Sequence, residues 1–228
     1  MGAEPSKPFT ADKAVLRTSL VAFDTMCAGW AEMQGYRDTM EDAHCTVDLG
    51  GGNYFFAVFD GHGGDKSSNC AAKVLPYLMQ QIANDFDSID DAIRRIKLAV
   101  AAMDRLLALM FDLELAANHK TVIDGCTATC ALVTPTTIFL INLGDSRSVV
   151  INPDGSFVQT IDHKPTNPDE ERRIVEADGN VSQGRVDGDL AVSRALGDFE
   201  FKRNVEKSSF HQRVSHEVDV FPVARQAN

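Results

Sequence analysis

The sequence predicts an α+β fold in which antiparallel sheets carry helices on their outside, and three observations lead there. A short aromatic-rich apolar run, Tyr54 to Phe59, follows the turn-forming residues Gly50-Gly51-Gly52-Asn53. Two long segments with helical apolar spacing come next, Lys66 to Ala83 and Ser88 to Leu115. Short β-branched runs then return at Thr127 to Val133, Thr137 to Asn142 and Ser148 to Ile151. Strands grouped before and after a pair of helices, with turns between them, favour antiparallel sheets over alternating crossovers.

Each element has a local reason. Turn residues ahead of a β-prone run read as a hairpin turn into a buried strand. The first helix places Cys70, Val74, Leu78 and Ile82 on one face. The second carries a stripe of Ile89, Ala92, Ile93, Ile96, Val100, Met103, Leu107 and Met110, whose methionines are core packing. Ser88 with Asp90 and Asp91 suits its N-terminus, where free N–H groups meet side-chain oxygens and negative charge. The later strands are separated by Thr134-Pro135, Gly144-Asp145 and Pro153-Asp154-Gly155. Pro168 to Ala177 reads as a further helix with proline in its first turn. The mixed stretch from Ala14 to Phe23 is assigned to neither helix nor strand. Residues 1–25 are taken as an N-terminal extension and 26–228 as one domain.

Composition narrows the function. The 228 residues are 44% hydrophobic and 24% charged, ordinary for a soluble globular chain. The formal net charge of -11 argues against nucleic acid as a partner, because neutralising phosphates needs clustered Lys and Arg. An acidic total fits a solvated surface, and it also fits carboxylates gathered for a divalent cation. The five cysteines, Cys27, Cys45, Cys70, Cys126 and Cys130, form no C-x-x-C pair and read as free thiols of a reducing compartment. Cys126 and Cys130 sit in a Thr-rich apolar run and read as core fillers. No apolar run approaches the ~18 residues of a membrane span. The opening Met1-Gly2-Ala3-Glu4-Pro5-Ser6 matches the N-myristoylation pattern, so a membrane is a partner only if Gly2 is acylated.

Four segments carry candidate chemistry. Asp60-Gly61-His62-Gly63-Gly64 closes the aromatic run. A carboxylate at the end of an apolar strand is costly unless its charge is compensated, and a metal ion would do so. The glycines permit close backbone approach, so that a carbonyl can act as a ligand. An Asp-Gly turn without metal is the plainer reading. In Gly35 to His44, the pair Glu41 and Asp42 could hold metal-bound waters, and Arg37 could fork onto a phosphate. Alone, such an acidic pair is usually solvated surface. Gly144-Asp145-Ser146-Arg147 could be only a hairpin turn, and Asp187 to Asp198 is the fourth segment.

Taken in order, Met40-Glu41-Asp42-Ala43-His44, Val58-Phe59-Asp60-Gly61-His62-Gly63-Gly64, Asn142-Leu143-Gly144-Asp145-Ser146-Arg147 and Leu190 to Asp198 resemble the successive motifs of the type-2C metal-dependent Ser/Thr protein phosphatases. Gly125-Cys126-Thr127-Ala128 and Asp162-His163-Lys164-Pro165 resemble further segments of that family. The resemblance spans about residues 29 to 221. It implies a β-sandwich of two antiparallel sheets flanked by helix pairs, with metals at one end. It implies that Asp60 bridges two Mg²⁺ or Mn²⁺ ions, that the Gly61 carbonyl ligates one, and that Asp145 serves a third, weaker site. Glu41 and Asp42 would hold metal-bound waters, Arg37 would bind the phosphate of a phosphoprotein substrate, and His62 would protonate the departing Ser or Thr oxygen. Free thiols of a reducing compartment go with a cytoplasmic or nuclear location, with membrane association through Gly2 if it is acylated.

The chain also departs from that pattern. The family continues with an apolar strand ending in Asp-Gly and, later, an Asp-Asn, and both aspartates are ligands. No Asp-Asn pair occurs here, and the remaining Asp-Gly pairs, at Asp124, Asp154, Asp178 and Asp187, read as polar turns or family positions already assigned. The resemblance therefore implies a domain incomplete at its C-terminus, lacking its last strands. Three readings stay open: a Ser/Thr phosphatase, a catalytically weak or inactive phosphatase-like binding module, and a simple cation-binding protein. Arg37 and His62 favour the phosphatase lineage over the last, since cation binding alone needs neither.

Overall fold

The structure is a computed structural model, and it describes residues 17–23, 26–84, 86–118 and 123–225. The chain divides into two units, Met1–Glu41 and Asp42–Asn228. Gly2 and the lipidation pattern lie outside the described residues.

In the first unit, β1 (Arg17–Phe23) pairs antiparallel with β2 (Met26–Glu32), from Arg17 opposite Glu32 to Phe23 opposite Met26. The described part of the stretch that the sequence left unassigned is therefore a strand. Its run Leu20-Val21-Ala22-Phe23 breaks the strict alternation by which strands are read.

The second unit is built on a hairpin of β3 (Ala43–Gly50) and β4 (Asn53–Phe59), joined by the turn at Gly51 and Gly52. The two-residue β5 (Gly61–His62) follows, then α1 (Lys66–Gln80) and α2 (Ile89–Asn118). Another two-residue strand, β6 (Gly125–Cys126), precedes β7 (Ala128–Val133) and β8 (Thr137–Leu143). The remaining elements are β9 (Val149–Ile151), β10 (Phe157–Gln159), α3 (Pro168–Glu176), β11 (Val181–Ser182), β12 (Arg185–Val186), β13 (Leu196–Gly197) and β14 (Asp219–Ala224).

One five-stranded sheet in the order β14-β8-β7-β4-β3 dominates, and every neighbouring pair in it is antiparallel. Side chains alternate across a strand, so Phe55, Ala57 and Phe59 share one face. Ala128, Cys130 and Leu132 from β7, and Phe139, Ile141 and Leu143 from β8, join them in one core with Leu75, Met79, Ile96, Met103 and Leu107 from the two helices. Cys126 and Cys130 are core fillers as expected, and Met103 is fully buried. Ile89 is 51% exposed, so the buried stripe of α2 begins one turn later, at Ala92. Ser88 Oγ accepts the Asp91 N–H at 3.1 Å, the cap the sequence suggested.

A smaller core of Ile174, Val186, Val192, Ala195, Phe201 and Val214 forms beneath α3 and the β11–β12 hairpin. A three-stranded ladder, β13-β6-β5, sets Gly61 and Leu196 on either side of Cys126, and His62 and Gly197 on either side of Gly125. The expected α+β class with antiparallel sheets and an outer helix pair is thus the fold adopted. Among the described residues, the strands outside the main sheet form two- and three-stranded ladders.

Candidate active site

Antiparallel pairing gathers the motifs at one end of the main sheet. Ala43 faces Phe59, Val58 faces Thr129, Ala128 faces Leu143, and Asp219 faces Asn142. Asp42, Asp60, Thr127, the Gly144–Arg147 turn and Asp219 therefore share that end. Thr127 is the buried joint between them. Its N–H donates to the Asp60 carbonyl at 2.9 Å, and its Oγ1 accepts the Asp60 N–H at 3.2 Å. The same hydroxyl lies 2.7 Å from Ser146 Oγ, next in sequence to Asp145. This fixes the backbone of Asp60 while leaving its side chain exposed.

His62 points its Nε2 at the Asp198 carboxylate, 2.7 Å away. Burial alone would push the imidazole down in basicity. The Asp198 hydrogen bond and charge, helped by the charges of Asp60 and Asp124, outweigh burial, and the net direction is up. Asp198 is missing from the residues the sequence reading selected. The signal was present: Ala195-Leu196-Gly197-Asp198 is another apolar run ending in a carboxylate, the same cue that singled out Asp60.

Asp124, one of the Asp-Gly aspartates the sequence offers as polar turns or family positions, has a structural partner. It is buried rather than part of a polar turn, and it accepts Ser67 Oγ at 2.6 Å and the Lys66 N–H at 3.1 Å. It thereby caps α1 from a distant point in the chain, a role the local Asp65 does not fill with its own side chain. Burial pushes its carboxyl up, against the lowering pull of those hydrogen bonds.

The Asp145 turn is pinned from the other side. His163 Nδ1 accepts the Gly144 N–H at 3.0 Å, and its Nε2 lies 3.1 Å from Asp219 Oδ2. Those partners select the neutral tautomer with the proton on Nε2. Arg147 forks onto Asp162 with both contacts at 2.9 Å, and Lys164 is ion-paired with Asp145. A cation reaching Asp145 has to displace Lys164.

Arg37 and Glu41 belong to the first unit, and Asp42, Asp60, Gly61, His62 and Asp145 to the second. Arg37 is exposed beside the Gly35–Tyr36 turn, where its carbonyl accepts Gln34 Nε2 at 2.8 Å. Glu41 Oε1 accepts the Thr39 hydroxyl at 2.8 Å. The sheet end unites the members of the second unit.

Among the described residues, no three His, Cys, Asp or Glu side chains are placed to hold an ion together. The donors that are present fit a lightly held hard cation. They are oxygen atoms only, with an exposed Asp60 carboxylate followed by a glycine, and such ions keep several waters alongside one or two carboxylates. The cysteines packed in and against the core are not poised for sulfur chemistry. Burial pushes the Cys126 and Cys130 thiols well up and Cys45 up to about 12, away from the reactive thiolate.

Comparison with known proteins agrees with this geometry. The family model described as Protein phosphatase 2C matches residues 28–228. The chain is 39% identical to the human "Probable protein phosphatase 1N" over 87% of its own length and 46% of that protein. It is 40% identical to "Probable protein phosphatase 2C 4" of Paramecium tetraurelia, over 81% of this chain and 62% of the relative. It therefore spans about half to three-fifths of the curated relatives it matches. Among solved structures, a phosphatase from a pathogenic strain of Toxoplasma gondii superposes with a TM-score of 0.68 and 26% identity, covering 82% of this chain and 69% of that one. Fold and comparisons together define a domain of the protein phosphatase 2C type. The chain belongs to the protein phosphatase 2C family.

Proposed function

We propose that this chain hydrolyses phosphoserine and phosphothreonine in phosphoproteins, with Mg²⁺ or Mn²⁺ as its cofactor. The observation that carries this reading is an exposed Asp60 carboxylate on a fixed backbone, two residues before a histidine held by a buried aspartate. Asp60 and the Gly61 carbonyl would hold the ions, two in number, and Asp145 would serve a third and weaker one. Glu41 and Asp42 would orient water around them. When bound, the cations supply a water that ionises near neutral pH and a clamp on the oxygens of an in-line displacement.

The protein's own groups do the rest. Arg37 offers a planar fork for the phosphate of the substrate. His62 gives its proton to the Ser or Thr oxygen as the phosphorus–oxygen bond breaks, which spares the leaving group from departing as an alkoxide. Burial keeps the Cys45, Cys126 and Cys130 thiols protonated, and water is the nucleophile of this reading.

The test is phosphate release from a phosphothreonine peptide by the 228-residue chain, titrated with Mn²⁺ or Mg²⁺ and then with chelator. The reading expects turnover that rises with the cation and vanishes with chelation. A flat trace at millimolar cation, from a chain that binds the cation, would count against it.

A further inference from the structure

We propose that Asp198 is the positioning residue of this site: by accepting the Nε2–H of His62 it orients the imidazole and leaves Nδ1 as the edge that serves the leaving oxygen. The inference rests on the hydrolytic reading above and adds to it a residue outside the metal and phosphate contacts.

Asp198 is built for a single orientation. It is 2% exposed and adopts a left-handed backbone, with φ at 50°, that only Gly, Asn and Asp visit with ease. Its N–H donates to the Asp124 carbonyl at 3.1 Å. The preceding Gly197 N–H donates to Asp104 Oδ1 at 2.9 Å, and the same oxygen takes Lys202 Nζ at 2.8 Å. The segment is therefore held from α2 as well as from the β13-β6-β5 ladder. Gly125 lies between Gly197 and His62 in that ladder, and a Cβ there would fall 2.4 Å from the carboxyl carbon of the neighbouring Asp198. A glycine is needed at that point because the carboxylate passes directly over it.

A carboxylate so fixed has a chemical use. A neutral imidazole has two tautomers, and the partner of one nitrogen decides which edge remains for the other task. With Nε2 committed to Asp198, Nδ1 is the remaining nitrogen. In the reaction, a water oxygen bonds to phosphorus while the bond from phosphorus to the Ser or Thr oxygen breaks. The electron pair left on that oxygen takes the Nδ1 proton of the His62 imidazolium, which leaves the neutral Nε2–H form. The attacking water gives up one proton to solvent, and solvent later reprotonates Nδ1. Asp198 keeps its charge throughout.

Two measurements test this, one of them independent of activity. In the metal-free chain with ¹⁵N-labelled histidine, at a pH where the ring is neutral, His62 is expected as the Nε2–H tautomer. Finding the proton on Nδ1 would overturn the proposal. The second measurement is steady-state kinetics of Asp198→Asn, a change that keeps volume and tolerates the left-handed backbone. With a phosphothreonine peptide, kcat is expected to fall about 100-fold, the low end of what a general acid contributes, with KM within about twofold. With p-nitrophenyl phosphate, whose phenolate needs no proton to leave, activity is expected to stay close to parent. Equal loss on both substrates would mark Asp198 as merely structural and refute the role. A parent chain inert toward both substrates would sink the phosphatase reading, and the positioning claim would then stand or fall on the nitrogen shifts alone.

Discussion

Replacing Glu170 with glutamine removes the most heavily used carboxylate of the second core. Glu170 is 4% exposed and takes four hydrogen bonds. Arg194 Nε and Nη2 donate to Oε1 at 3.0 and 2.6 Å, and Arg173 Nη2 and Ser193 Oγ donate to Oε2 at 2.7 and 2.6 Å. Burial alone would raise its carboxyl, but the Arg194 hydrogen bond and charge, the Arg173 charge and the Ser193 hydroxyl bring it from 4.5 down to about 2. By linkage that drop is worth roughly 3 kcal/mol of folding stability at neutral pH. The sign follows from the depressed value: the contribution is complete above the unfolded value and is lost as pH falls toward the folded one. Glu170→Gln is therefore expected to cost about 3 kcal/mol at pH 7, because two half-buried guanidinium groups lose their counter-charge. The difference between parent and variant should shrink to about 1.5 kcal/mol by pH 3. Urea denaturation of both proteins between pH 7 and pH 3 measures it. A difference that stays constant across that range would refute the assignment of the stabilisation to the ionised carboxylate.

Other consequences follow from the site. Thr127→Val removes the hydroxyl that joins the Asp60 N–H to Ser146. It should lower stability by about 1–3 kcal/mol in denaturant melts and weaken Mn²⁺ binding by calorimetry, because a buried donor is left unpaired and the Asp60 turn is freed. Gly125→Ala drives a methyl into the Asp198 carboxylate and should cost about 1–3 kcal/mol, with His62 proton exchange with solvent accelerated in NMR spectra. Among the five free thiols, only Cys27 is exposed, so an aromatic disulfide reagent should label it first. Cys27→Ser should abolish that fast phase, while denaturation should release the buried thiols.

Much of this was legible in the sequence because long periodic segments announce themselves. Both long helices, the aromatic strand and the strands after them came from spacing and turn residues. The Ser88 cap was visible because capping depends on local chemistry. The strand Ala43–Gly50 was not read, since it presents its partner with a mixed series that includes His44, Thr46 and Asp48. The two-residue strands that bring Gly61, Gly125 and Gly197 together are too short to carry any period, and they exist only through long-range pairing. For the same reason the spacing assigns neither Asp124 nor Asp198 a partner. Their partners lie 58 and 136 residues away, and the apolar run before Asp198 is the one local trace of either role. Asp60 was legible because a carboxylate closing an apolar strand is anomalous within a single short window.

The central claim is that this sheet end hydrolyses phosphoesters through a cation held at Asp60. Phosphate release from a phosphothreonine peptide at millimolar Mn²⁺, compared between the parent chain and Asp60→Asn with Mn²⁺ binding followed in parallel, tests it most directly. The account predicts turnover in the parent, and loss of both turnover and Mn²⁺ affinity in the variant. Equal turnover by both chains, or Mn²⁺ bound equally by both with no phosphate released, would contradict it.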